Sequence, residues 1–422
     1  MQFHKTILPN GLRLVVVPMK DNPTVTVMVL VEAGSKYETK EISGISHFLE
    51  HLCFKGTTAR PKPIDIVKEL DGIGAHYNAF TAQEVTGYYA KSDKKHFATI
   101  LEVVSDIYLN STLPTAEMEK EKGVIVEEIK MYQDLPPRRI HEVLMATLYG
   151  DQPAGWDIAG DEKTVRSFTR EDFLAYRTKH YLSGATTVVV SGNVTEGEVR
   201  ERVARAFAQM PSGPKHPKTA VTEAQTKPLL AIEEKKTDQV HLALGMRTFN
   251  LYHSDAPAMR LLAAVLGGGM SSRLFQKMRD ELGICYYVGA AHETFTDHGF
   301  LEITAGVPAA RLIEAVSALL AEVRRLKEEE VGTEELTRVK EQLTGSLYLG
   351  LESSDSVAEF FGSQEIMRKP ILSPQETVEK IRAVDAGAIR RVANEYLTEA
   401  RLTLALIGPV TERDELLRLL RL

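Results

Sequence analysis

The sequence predicts an α+β protein of two homologous domains, each a mostly antiparallel sheet packed by helices. Three observations support this prediction. The chain has 422 residues, which exceeds the usual size of one hydrophobic core. Two segments of the first half recur in the second half. The predicted strands are grouped with pairs of helices between them, whereas strict alternation of strand and helix would favour a parallel sheet.

The internal repeat is visible at two distant places. Residues 188–195 (VVVSGNVT) resemble residues 404–411 (LALIGPVT) at an offset of 216, and each segment is an apolar strand followed by a glycine turn. Residues 115–118 resemble residues 333–336 at an offset of 218. Similar offsets indicate a duplicated domain. We therefore expect domains at 1–212 and 229–422, joined by a linker at 213–228 that is rich in proline, lysine and threonine.

The elements of the first half follow from local patterns. β-Branched runs between turn signals predict strands, and two further runs predict a hairpin. Apolar residues that recur every three or four positions, with cap residues before them, predict helices. The predicted strands are 12–18, 24–31, 76–80 and 85–90, and the predicted helices are 45–52, 63–70, 94–109 and 115–133.

Composition limits the classes of function. The net charge of −7 provides no electrostatic footprint for nucleic acid. The two cysteines, Cys53 and Cys285, predict no disulfide framework and suit a reducing compartment. No run approaches the roughly 18 apolar residues of a membrane span, and the first residues resemble neither a signal nor a transit peptide. We expect a soluble, cytoplasmic bacterial protein.

The strongest chemical signal is His-Phe-Leu-Glu-His at residues 47–51. On a helix, His47 and His51 share one face, and Glu50 borders it. Glu128 lies 77 positions after His51 (128 minus 51) in another predicted helix. Two imidazoles and a carboxylate meet the ligand count of a catalytic zinc, and Glu50 suits a general base. The alternative is a solvated helix that carries two surface histidines.

The second half carries no copy of this motif. At an offset of 218, His47 corresponds to Val265 and Glu128 to Ser346. The glycines at 267–269 lack the Gly-Lys-Ser/Thr ending of a phosphate-binding loop, so they favour a helix start. Arg279 and Tyr286 are seven residues apart and can bring a cation and a phenol together at a helix end to hold a peptide carbonyl or an oxyanion. The alternative is a surface arginine and a strand tyrosine.

Taken together, these motifs resemble the pitrilysin/insulinase family of zinc metallopeptidases, the inverzincins, and in length its processing-peptidase branch. The resemblance covers essentially the whole chain. It rests on four stretches and on the pair Glu121 and Glu128; the stretches are 8–12 (LPNGL), 44–57 (GISHFLEHLCFKGT), 78–81 (NAFT) and 272–275 (SRLF) with the residues after it up to 286.

The resemblance implies a role for each of these residues. His47, His51 and Glu128 would bind zinc, and Glu50 would be the general base. Glu121 would be the second acid of the family's paired glutamates. The spacing of two helical turns between Glu121 and the ligand selects Glu128 over the adjacent Glu127. The substrate-binding residues would be Arg279 and Tyr286, together with the edge-strand residues Asn78, Ala79 and Phe80.

The expected function is that of a zinc metalloendopeptidase acting on peptides or unstructured segments. In such a family the two domains form part of a peptidase chamber. The expected assembly is a homodimer, or a heterodimer with a homologous subunit. The alternative function is a non-catalytic or partner-dependent subunit of such a heterodimer.

Overall fold

The computed structural model describes all residues from Met1 to Leu422, and the chain forms two compact units. The first unit comprises Met1–Lys130, Asp157–Thr219 and Leu347–Pro374. The second unit comprises Met131–Trp156, Ala220–Ser346 and Gln375–Leu422. No helix of the chain is both long enough and apolar enough to cross a lipid bilayer.

Each unit is built on one sheet. The sheet of the first unit has the strands β1 (His4–Ile7), β2 (Arg13–Pro18), β3 (Thr24–Val31), β4 (His76–Thr81), β5 (Thr86–Asp93) and β6 (Thr186–Gly192), in the order β1-β2-β6-β3-β5-β4. The sheet of the second unit has the strands β7 (Leu229–Glu234), β8 (Val240–Arg247), β9 (Val288–Thr294), β10 (Gly299–Val307) and β11 (Leu402–Gly408), in the order β7-β11-β8-β10-β9.

The two sheets share one topology. In each, a single parallel pair, β2 with β6 or β7 with β11, is followed by antiparallel pairs out to an edge strand, β4 or β9. The first sheet differs only by the extra strand β1. This shared order supports the duplication that the sequence offsets predict, and the α+β fold class is confirmed.

The helices are α1 (Ile45–Cys53), α2 (Pro63–Gly72), α3 (Phe97–Leu109), α4 (Thr115–Gln133), α5 (Pro136–Tyr149), α6 (Glu162–Ser167), α7 (Arg170–His180), α8 (Glu196–Ala206), α9 (Ala256–Gly267), α10 (Leu312–Glu328), α11 (Thr333–Gly350), α12 (Ser354–Ile366), α13 (Pro374–Arg382), α14 (Ala386–Tyr396) and α15 (Arg413–Leu419). The predicted helix 115–133 matches α4 at both ends. The predicted helix 94–109 starts later, because residues 94–96 form a tighter 3₁₀ turn.

The compact units divide the chain differently from the predicted boundaries at 212 and 229. Helix α12 belongs to the first unit, where Val357 and Phe361 are buried against Val15, Val17 and Met28 of that sheet. Helix α5 belongs to the second unit, where its apolar face is likewise buried against that unit's sheet. Periodicity reveals that these helices are amphipathic, but it does not reveal which sheet each of them covers.

The predicted linker has no regular structure, but its first part is fastened to the first unit. Gly184 donates its backbone N–H to the carbonyl of Gly213 at 2.9 Å. Lys215 lies 2.6 Å from a carboxylate oxygen of the buried Glu32. The division between the units falls after Thr219, inside the predicted linker.

Candidate metal centre

Helix α1 presents a buried apolar face and a polar face. Phe48, Leu49 and Leu52 are wholly buried in the core of the first unit. His47 and His51 lie on the other face, and the centroids of their rings are 4.7 Å apart. The one-turn spacing therefore places both imidazoles side by side, as the sequence predicts.

Helix α4 brings Glu128 against both histidines. Nε2 of His47 lies 3.8 Å from Oε1 of Glu128, and Nε2 of His51 lies 3.6 Å from Oε2. These distances exceed those of good hydrogen bonds. Two ligands at roughly 2.0–2.2 Å from a shared zinc in tetrahedral geometry lie about 3.4 Å apart, so the spacing suits an ion between them.

No other group of His, Cys, Asp or Glu in the chain forms such a cluster. The ligand atoms of His47, His51 and Glu128 all lie within 4.8 Å of one another. The adjacent Glu127 turns away, since its side chain is 73% exposed and pairs with Lys130 at 2.8 Å. The donor set of two imidazoles and one carboxylate is that of a catalytic zinc site with an open position.

Glu121 contacts the cluster through His51. Its Oε1 lies 3.0 Å from Nδ1 of His51, and its Oε2 lies 2.7 Å from Nζ of Lys55. Burial alone would raise the pKa of Glu121, but the hydrogen bonds from His51 and Lys55 lower it below its usual value. The ionised carboxylate accepts, so Nδ1 of His51 donates, and a neutral His51 then has the lone pair of Nε2 on the side of Glu128.

Glu121 is the residue that the resemblance implies as the second acid of the family's paired glutamates. Its oxygens are taken by His51 and Lys55, and it is not a member of the three-ligand cluster. Glu121 therefore fixes the orientation of His51 from outside the three-residue cluster, and a catalytic role for it stays a prediction.

Glu50 lies beside the three candidate ligands, and one of its carboxylate oxygens accepts a hydrogen bond. The hydroxyl of Thr81, at the end of β4, donates to Oε2 of Glu50 at 2.6 Å. Burial raises the pKa of Glu50 above its ordinary value, while the bond from Thr81 and the charge of His51 oppose the rise. A carboxylate with a raised pKa is better matched to taking a proton near neutral pH.

The predicted edge strand is present as β4, whose only sheet partner is β5. Ala79 packs toward the core beneath α1, whereas Phe80 packs on the opposite face with the cluster around α12. The Asn78 side chain accepts a hydrogen bond from the Ala79 N–H at 2.9 Å. The strand therefore has one backbone edge without a neighbouring strand, and Phe80 lies on the opposite face from the Ala79 side chain.

In the second unit the structure brings Arg279 and Tyr286 together. The Arg279 guanidinium donates to the Tyr286 carbonyl at 3.0 Å and lies 5.3 Å from the centre of the tyrosine ring. Arg279 belongs to a π-helical segment, Phe275–Glu281, and the Tyr286 side chain is 75% exposed. The predicted cation and phenol are thus neighbours.

The glycines at 267–269 end helix α9 and precede this π-helical segment. A Cβ at Gly267 would lie 2.3 Å from the backbone nitrogen of Ala290, so glycine lets the end of α9 pack directly on β9. The predicted helix start is therefore a turn between two helical segments.

Two residues of this site make contacts that the sequence does not predict. Thr81 reaches Glu50 from a strand that is distant in sequence, and only a tertiary contact reveals it. Lys55 stands four residues after His51, and this spacing is a local signal that places it near the same face.

Profiles of known families match most of the chain. Residues 14–162 match the insulinase family, peptidase family M16, and residues 167–343 match the family described as the peptidase M16 inactive domain. An uncharacterized zinc protease of Bacillus subtilis, YmxG, is 35% identical over 95% of this chain and 97% of its own length. An uncharacterized zinc protease of Rickettsia felis is also 35% identical, over 96% of this chain and 98% of its own length.

Solved structures share the fold. A protease from Helicobacter pylori superposes with a TM-score of 0.91 and 24% identity, over 97% of this chain and 99% of the other. A peptidase M16 inactive domain from Pseudomonas fluorescens superposes with a TM-score of 0.89 and 18% identity, over 97% and 99% of the two chains. The profile matches and the relatives that align along nearly the whole length lead to one conclusion: the chain belongs to the insulinase family, peptidase family M16.

Proposed function

We propose that this protein is a zinc-dependent endopeptidase that cleaves peptides or unstructured protein segments. The observation that carries the proposal is the meeting of His47, His51 and Glu128, with Glu50 beside them. Relatives that align along nearly the whole chain are named zinc proteases, which supports the same activity.

In this proposal His47, His51 and Glu128 hold the zinc. The bound ion supplies a Lewis acid for the peptide carbonyl and lowers the pKa of its water to about 7. Glu121 fixes the tautomer and orientation of His51, and Lys55 keeps Glu121 ionised.

Glu50 is the proposed general base. Thr81 holds Oε2 of Glu50, so Oε1 is the oxygen that takes the proton of the attacking water. The same carboxyl then delivers that proton to the leaving amine. The burial that raises the pKa of Glu50 makes both transfers easier near neutral pH.

The proposed substrate site includes β4. An extended peptide adds to the unpaired edge at Asn78, Ala79 and Phe80, where backbone hydrogen bonds hold it with little regard for its sequence. Arg279 and Tyr286 are proposed to grip a peptide carbonyl with their guanidinium and phenol groups. Such a site suits unfolded or short chains.

The test is cleavage of a quenched fluorescent peptide by the purified protein, with its solution mass measured in parallel. We expect cleavage, its loss on chelation and its return on addition of zinc. Cleavage that persists after the zinc is removed would contradict the proposal. Cleavage that needs an added homologous subunit would instead favour the partner-dependent heterodimer, and the solution mass tells a homodimer from a monomer.

A further inference from the structure

The N-terminus of the metal-bearing helix α1 has no cap of its own. The residue at the cap position is Gly44, which has no side chain and adopts φ 94°. The first turn of any helix leaves backbone N–H groups without partners inside the helix. Serine, threonine, asparagine and aspartate are preferred at that position, because their side chains accept from these groups.

In α1 the carboxylate of Glu38, which lies outside the helix, satisfies two of these N–H groups. Oε2 of Glu38 accepts the Gly44 N–H at 2.7 Å, and Oε1 accepts the Ser46 N–H at 2.8 Å. Glu38 lies outside the helix, in the loop after β3, and is only 3% exposed. A carboxylate at this end also opposes the partial positive charge of the helix dipole.

The same turn is held from two other sides. The Ser46 hydroxyl lies 2.7 Å from the Tyr176 hydroxyl of α7. A Cβ on Gly44 would lie 2.5 Å from the carbonyl oxygen of Ala159, so the loop before α6 packs directly against the cap residue. The start of α1 therefore has one defined position within the first unit.

This position matters because α1 is short and carries three residues of the proposed site. A helix of nine residues is marginal by itself and depends on its surroundings for its orientation. His47 directly follows Ser46, whose N–H is bound by Glu38. A shift of the first turn would change the direction of His47, Glu50 and His51 together.

We propose that Glu38 is a positioning residue of the zinc site, acting through the backbone of Gly44 and Ser46. The inference rests on the proposed zinc-dependent function. Glu38 binds the backbone of the first turn, and it thereby sets the orientation at which α1 presents its polar face.

The test is the zinc affinity of Glu38→Gln, measured by competition with a chromophoric chelator. The amide keeps the size of the side chain and one good acceptor but loses the second acceptor. We expect zinc to bind about tenfold more weakly, and the zinc-loaded variant to have a lower kcat at nearly unchanged KM. The control is Asp385→Ala, which removes the cap of α14 in the second unit, where Asp385 accepts the Ala388 N–H at 2.7 Å. Its zinc affinity should stay within about twofold of wild type.

An affinity of Glu38→Gln equal to wild type would overturn the inference and leave the proposed function standing. A wild-type protein that binds no zinc would instead remove the proposed function itself. If the variant does not fold, amide hydrogen exchange of the wild type decides. We expect the Gly44 and Ser46 amides to exchange slowly, and exchange as fast as in an unstructured chain would overturn the inference.

Discussion

At the scale of single residues, the proposed base depends on one hydroxyl group. Thr81 is the only side chain whose hydrogen bond lowers the raised pKa of Glu50. Because Thr81 ends the edge strand β4, it links that strand to the carboxylate that carries the proposed chemistry.

The first prediction concerns Thr81→Val, which removes this donor. The pKa of Glu50 should rise further, because the lost bond opposes the rise that burial causes. A base must be ionised, so activity falls as the pH drops through that pKa. The acid limb of kcat/KM should therefore move to higher pH by up to about one unit, with a roughly fivefold lower maximum.

The measurement is kcat/KM between pH 5 and 9, with the zinc content determined alongside. Thr6→Val, in β1 at the opposite edge of the same sheet, is the control and should leave the profile unchanged. An acid limb at the wild-type position in Thr81→Val would show that the hydroxyl does not act on the base.

The second prediction concerns Glu121→Gln. The variant loses the charge that binds both His51 and Lys55, so the orientation of His51 is less strongly fixed. We expect zinc to bind about 10–100-fold more weakly, measured by chelator competition. Glu119→Gln is a matched control in the same helix, because the Glu119 side chain is exposed and accepts a hydrogen bond from Lys122. Equal zinc affinities for the two variants would contradict the orienting role.

Local spacing predicts that the two histidines lie side by side, and the resemblance adds Glu128 to them, but neither indicates which residues support this cluster. His47 and His51 share a helix face by periodicity, and the choice of Glu128 over Glu127 follows the two-turn spacing from Glu121. The contacts of Glu38 and Thr81 arise from loop and strand positions that no periodic pattern relates to α1.

At the scale of elements, the glycine at the start of helix α1 is closely surrounded by other backbone atoms, whereas the glycine inside α4 faces open space. Gly44 has φ 94° and backbone atoms of residue 159 against it. Gly123 lies inside α4, where a Cβ would meet nothing within 4 Å. The two glycines therefore have opposite steric surroundings.

The third prediction compares Gly44→Ala with Gly123→Ala. The first should lower the free energy of unfolding by about 2 kcal/mol or more, because it combines a positive φ with a backbone clash. The second should raise it by about 0.5–1 kcal/mol, because alanine favours the helix. Urea unfolding followed by circular dichroism measures both values. A stabilising Gly44→Ala would contradict the packing described for α1.

Element boundaries were predictable where the signal is local. Helix α4 begins after Pro114 and keeps its apolar spacing to the end, so its predicted bounds agree with the structure. The start of α3 was misplaced because the lysines at 94 and 95 carry no sign of a 3₁₀ turn. Such a turn depends on the local backbone geometry and on the cap from Asp93.

At the scale of the whole molecule, each unit contains a helix from the other half of the sequence, and we call this crossing of segments the exchange. The first unit includes α12 from late in the sequence, and the second includes α5 from early in it. Arg13 of the first sheet donates to the Glu365 carbonyl of α12 at 2.7 Å, which fastens the late segment to the early one. A repeat offset measures the period of a duplication and not the packing of its segments, so it does not indicate which sheet α5 and α12 cover.

The fourth prediction follows from this exchange. A fragment of residues 1–219 lacks α12, so it exposes the apolar face that Val15, Val17 and Met28 line. We expect this fragment and the fragment 220–422 to aggregate when each is expressed alone, and to form a one-to-one complex when they are expressed together. Size-exclusion chromatography with light scattering measures the outcome. A monomeric 1–219 fragment that unfolds cooperatively would contradict the role given to α12.

We propose that one zinc site performs hydrolysis with Glu50 as its base. The most direct test is kcat/KM for peptide cleavage by Glu50→Gln at full zinc occupancy, compared with wild type and with Glu127→Gln, whose exposed side chain pairs with Lys130. We predict that Glu50→Gln retains near-stoichiometric zinc and loses about a thousandfold in kcat/KM, while Glu127→Gln cleaves like wild type. Cleavage by zinc-loaded Glu50→Gln at the wild-type rate would contradict the claim.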